Sequence, residues 1–216
     1  MRLTTRPPLT STTYLVVLAL PALLLAQGGC SGGAATDRND AGGQGAVVGP
    51  IGGADLQVRD SVYTVSEVRG LEFDGPSTNI LISDYTAICA KEGIGAGVNG
   101  GRSVFIGLAS NDSSGVSSAV TAPGTHAIAS GAAARAPGIR TAQLSYQRNG
   151  ADCLRTEHHD ASAGQVVVTA VDATAGTVTG TFDVTLADTG EHVTGSFQAG
   201  ACAAFDPNRT PTTSCQ

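Results

Sequence analysis

Hydrophobic and polar residues alternate along much of this chain, most strictly in residues 166–199, which read as three strands joined by two short turns. In the middle run Val178, Gly180, Phe182, Val184 and Leu186 fall on one face, with Thr177, Thr179, Thr181, Asp183 and Thr185 on the other. Successive side chains of a strand point to opposite sides of the sheet, so a period of two is what a half-buried antiparallel strand requires. A helix would spread the same residues around its circumference. Val178-Thr-Gly-Thr-Phe182 recurs as Val193-Thr-Gly-Ser-Phe197, so neighbouring strands present a small residue and then an aromatic one inward. Such a repeat builds a scaffold and carries no chemistry.

The same period predicts strands over residues 61–68, 78–83, 103–109, 125–130 and 140–148. Asn149-Gly150 follows the last of these, and both residues tolerate the positive φ of a type I′ turn, which predicts a tight hairpin with a return strand over 151–158. Residues 160–164 read as the next turn, and the Ala-rich stretch 132–138, broken by Pro137, as a loop. Residues 84–91 are the one plausible helix, with Asp84 as N-cap and Tyr85, Ile88 and Cys89 on a shared face. The expected fold is all-β: an antiparallel β-sandwich or flattened barrel of about eight strands, with one short helix near Cys89. There is no Trp, so the core is aliphatic and light for its length.

The N-terminal quarter follows a different pattern. Arg2 and Arg6 precede an apolar run over residues 14–26, and Gln27-Gly28-Gly29-Cys30 follows. A run of this length suits the h-region of a signal peptide, whereas a membrane-spanning helix needs roughly 20 residues. Small residues directly before a cysteine resemble a bacterial lipobox, in which that cysteine is acylated and becomes the new N-terminus; Gln27 departs from the usual aliphatic residue. Ordinary secretion with cleavage near Ala26 is the alternative. The expected organisation is a signal peptide over 1–29, a lipidated N-terminus and Gly-rich tether over 30–53, and a single β domain over 54–216.

Cysteine number supports lipidation. The chain has five cysteines, Cys30, Cys89, Cys153, Cys202 and Cys215. An acyl group on Cys30 leaves four, enough for two disulfides in an oxidising compartment, and the spacing leaves all three connectivities open. Taking Arg2 and Arg6 from the 12 basic residues leaves 10 against 18 acidic ones, a net charge of −8. A chain so acidic is repelled by phosphate backbones, which argues against nucleic acid as a partner. The expected partner is a lipid bilayer, reached through the acylated Cys30.

A lipobox-like start, a Gly/Ala tether, a cysteine soon after an LISD strand, and a final VTGTF…VTGSFQA…C meander together resemble uncharacterised lipoproteins of myxobacteria and related Gram-negative bacteria. The resemblance implies a pairing of Cys89 with Cys202, leaving Cys153 with Cys215, and it implies no activity. Ser31 after the cysteine, rather than Asp, would imply sorting to the outer membrane in such bacteria.

Candidate chemistry is sparse. Glu157-His158-His159-Asp160 is the most metal-like run. On a strand Glu157 and His159 share one face and His158 and Asp160 the other, so a metal would need a third ligand such as His126 or His192. His158, His159 and Asp160 are therefore weak metal candidates, and the run reads more simply as the exposed polar end of a strand. Gly95-Ala-Gly97-Val-Asn-Gly100 is a literal GxGxxG, but a strand rather than a helix is expected after it, which removes the pyrophosphate-binding context. Neither SxxK nor HExxH occurs. No catalytic residue and no cofactor is assigned. The leading expectation is a lipid-anchored envelope protein with a structural or binding role. The rivals are a small-ligand carrier of lipocalin-like barrel type and an unrecognised envelope hydrolase built around His158 and His159.

Overall fold

A computed structural model describes residues 44–51, 54–68, 71–94, 97–209 and 215; the expected signal peptide and Cys30 lie outside the described residues. The strands in chain order are β1 (Gln44–Ile51), β2 (Ala54–Leu56), β3 (Asp60–Ser66), β4 (Ser77–Ser83), β5 (Arg102–Asn111) and β6 (Ser117–Ser118). They continue with β7 (Gly124–Ile128), β8 (Arg140–Asn149), β9 (Arg155–Asp172), β10 (Thr177–Leu186) and β11 (His192–Ala201). A single α-helix, α1 (Ile88–Ile94), lies between β4 and β5 among the described residues. The all-β expectation holds.

Pairing makes one sheet that returns on itself. β3, β4, β5, β8, β9, β10 and β11 are antiparallel neighbours in that order. β11 then meets β3 through a short parallel contact, Gly200↔Val62 and Ala201↔Tyr63. The rest of that β11 edge, Thr194 to Gln198, is taken by β1. β8 and β9 pair only at one end, and β7 fills the fork between them, with Ala127 beside Thr141 and His126 beside Val166. The result is a closed barrel whose interior side chains fill it, as expected of a ring this small.

Alternation decides what goes inside. Ile80 and Ile82, Val104, Ile106 and Leu108, and Ala142 and Tyr146 are buried inward, facing Val178, Phe182, Val184 and Leu186 of β10. The repeated VTGxF segments cross in register, so Gly180 pairs with Phe197 and Phe182 with Gly195. Each glycine gives its room to the other strand's ring: a Cβ on Gly180 would sit 2.6 Å from Phe197 Cζ, and one on Gly195 would collide with the Phe182 ring. A second, smaller apolar cluster lies outside the barrel wall, where Val62, Leu81, Ile88, Cys89, Cys202 and Phe205 pack together. This cluster covers Leu81 on the outer face of β4, where Ser77 and Asn79 are buried in hydrogen bonds with Ser66 and with each other.

Four local expectations are corrected. Residues 44–51, assigned to the tether, form β1, and Val47 and Ile51 pack into the barrel core with Leu56 of β2. The helix begins at Ile88 rather than Asp84. Asp84 instead receives the Arg102 guanidinium at 2.8 Å, and the buried Asp60 of β3 accepts the Ile88 N–H at 2.8 Å, capping the helix from a distant strand. The expected Asn149-Gly150 turn is a longer loop, in which Gly150 N donates to Leu154 O at 2.8 Å and Cys153 takes a φ of 60°. That conformation directs Cys153 to its bond with Cys215, which a two-residue turn could not do. Finally, residues 160–164 are not a turn. β9 runs through them, and a bulge between the pairs Leu186↔Ala161 and Thr185↔Ala163 bends the strand where a reversal was expected.

Candidate functional site

The four cysteines of the body are paired Cys89–Cys202 and Cys153–Cys215. The first bond joins α1 to the residue just after β11; the second joins the loop after β8 to the C-terminal end. Gly97 belongs to the second bond's surroundings, because a Cβ there would lie 2.6 Å from Cys153 Cβ. The GxGxxG run is thus a packing loop followed by β5, with Gly95 and Ala96 outside the described residues.

The 157–160 run divides between two faces. On the inner side, at one mouth of the barrel, His159 stacks on the buried Tyr146 with ring centroids 5.9 Å apart and donates from Nδ1 to Asp188 Oδ2 at 2.7 Å. Beside them Arg148 Nη1 donates to Glu157 Oε1 at 3.1 Å, and Arg102 pairs with Asp84. These groups form a polar collar that closes the apolar interior. The hydrogen bond from His159 holds the Asp188 carboxyl below the usual range. Burial, and then the Glu157 charge, push the Tyr146 phenol up.

On the outer side His158 Nε2 lies 3.6 Å from Asp160 Oδ1. His192 pairs with Asp183 at 2.6 Å on β11 and β10. His126 is buried in β7 with neither ring nitrogen hydrogen-bonded, and desolvation, followed by the Arg140 charge, lowers its pKa to about 4. The structure therefore brings neither His126 nor His192 to the 157–160 run. No group of three or more His, Cys, Asp or Glu suited to a metal occurs among the described residues.

Outside the barrel wall an open trough of about 1150 Å³ runs over β5, β8 and β9. Its floor is the outward face of β8, with Gln143, Ser145 and Gln147; one side is His158, Asp160 and Ser162 of β9. Phe105 and Tyr85 line the other side, and Phe205 and Arg209 come from the segment after β11. The polar half of β8 was visible in the sequence as the partner of Ala142, Leu144 and Tyr146. The trough was not, because its far wall comes from a tail without periodicity and from a β9 continuous past residue 160.

No family model, curated protein or solved structure matches the chain.

Proposed function

We propose that the chain is an exported cell-envelope protein, held in a bilayer by acyl chains on Cys30, whose barrel has a binding or structural role rather than a catalytic one. One observation carries this reading: the body's four cysteines are joined to each other, so Cys30 is the cysteine left over for lipid. Bridges spanning 113 and 62 residues fit an oxidising compartment. The acidic body, the apolar run ahead of Cys30 and the resemblance to myxobacterial lipoproteins support the same assignment, and Ser31 supports the outer membrane. Residues 31–43 separate Cys30 from β1, and even fully extended they span at most about 45 Å.

The rival readings lose ground on geometry. A lipocalin-like carrier needs an interior chamber, and here the inward side chains occupy that space, so a ligand would have to bind outside. A hydrolase needs convergent ionisable groups, whereas His158 and His159 face opposite sides and each is paired with an aspartate. Mass spectrometry of the membrane fraction tests the proposal. A diacyl or triacyl mass on a peptide beginning at Cys30 is the expected result, with C30A moving the protein to the soluble fraction. An unmodified N-terminus cleaved near Ala26 would overturn it.

A further inference from the structure

We propose that the Cys153–Cys215 bond is a thiol–disulfide exchange site, open to an external dithiol while the barrel stays folded; the inference does not depend on what happens at Cys30. Exchange requires a thiolate to reach one sulfur of the bond. The two bonds differ in what surrounds them. Cys89 is 6% exposed and Cys202 2%, enclosed with Val62, Leu81, Ile88 and Phe205 in the cluster outside the barrel wall. Cys215 is exposed, and Cys153 is half-buried between the exposed Asp152 and Leu154. Around Cys215 the structure places a single-residue bridge to Gly97 and the carbonyl of the exposed Ala151, 3.5 Å from Sγ. An exposed disulfide is the labile kind, whereas a buried one is reached only when the surrounding structure opens.

The dithiol alone balances the step. Its thiolate attacks Sγ of Cys215, the more exposed of the two residues, and a mixed disulfide forms as the Cys153–Cys215 bond breaks. Cys153 leaves as a thiolate and takes up the proton the dithiol gave to water. The second thiolate of the dithiol then attacks its own partner sulfur in the mixed disulfide. That releases Cys215, which is protonated in the same way, and closes the reagent's ring disulfide, so two electrons have passed to the protein. The barrel keeps its shape because the opened bond lies outside the strands. Asn149 still pairs with Arg155 at the base of the loop that carries Cys153, and Cys89–Cys202 still holds the end of β11.

Partial reduction of the full-length protein with dithiothreitol near neutral pH, quenched with iodoacetamide and mapped by peptide mass, tests this. Cys153 and Cys215 should be alkylated at least about tenfold faster than Cys89 and Cys202, which wait for the structure to open. The β-sheet circular dichroism should be unchanged at that stage. Glutathione in place of the dithiol should leave its adduct mainly on Cys215. A smaller ratio of rates overturns the inference, as does loss of the β spectrum while Cys153 and Cys215 open. So does a Cys153–Cys215 bond that resists reduction until urea unfolds the chain. An adduct found mainly on Cys153 overturns the point of attack.

Discussion

The two edges of β11 are held in opposite ways. Against β10 it makes a ladder of nine paired residues in which each Gly faces the other strand's Phe. Against β3 it makes two residue pairs. On that side the chain substitutes other devices: β1 occupies the remaining edge, Cys202 N donates to Tyr63 O at 2.8 Å, and the Cys89–Cys202 bond ties the end of β11 to the helix outside β3 and β4. Where a ladder is long, repeated small gains suffice; where closure is short, a strap and a covalent bond take over.

The sharpest way to break this contrast is to remove the strap. A chain beginning at Ala54, the boundary that composition suggests, lacks Val47 and Ile51 and bares the β11 edge. It should fail to give a cooperative thermal transition, while a chain beginning before Gln44 unfolds normally; equal melting of the two would mean β1 does not close the seam.

Next come the two bridges. Loop-closure entropy alone separates loops of 113 and 62 residues by only about 0.5 kcal/mol. Because Cys89–Cys202 sits at the short closure, the C89A/C202A variant should lose about 2–5 kcal/mol in urea unfolding. C153A/C215A, which frees a loop and the chain end, should lose at least about 1 kcal/mol less. A difference no larger than the entropic one removes the seam argument.

Acid acts on the other side, in the fork that β7 fills. His126 has a folded pKa near 4, below its ordinary 6.5, because burial disfavours the charged ring. Its neutral form is accommodated and its cation is not, so the associated stability is complete above pH 6.5 and drains away as pH falls towards 4. The full effect is about 3 kcal/mol. A pH series of urea midpoints should show this slope, and H126F should flatten it.

The smallest effect tests the ladder itself. G195A places a methyl group against the Phe182 ring and should cost about 1–3 kcal/mol, with G195A/F182L recovering part of it.

The same contrast governs what could be read in the sequence. The ladder side was legible because Val178 to Leu186 declare both their strand and their inward face. The seam was not. Gly45 and Gly49 look like linker residues, yet a Cβ on Gly45 would lie 2.5 Å from Ser196 O, and one on Gly49 2.9 Å from His192 O. They are glycines of close strand approach in a segment whose composition suggests a tether. Asp60 caps a helix 28 residues away, which no local rule can detect. The candidate site divided likewise. The alternation of the 157–160 run correctly separated His158 from His159, while the continuity of β9 past residue 160 depended on a bulge against β10.

The strap also has a mechanical meaning. If a fatty anchor holds Cys30, any tug from the bilayer reaches the body at Gln44, and its component along β1 acts on that strand's axis. Its five residue pairs with β11 are then loaded together in shear rather than peeled one by one, and β11 hands the strain on to the Cys89–Cys202 bond. A body attached in this way resists a pull along β1 better than one across it.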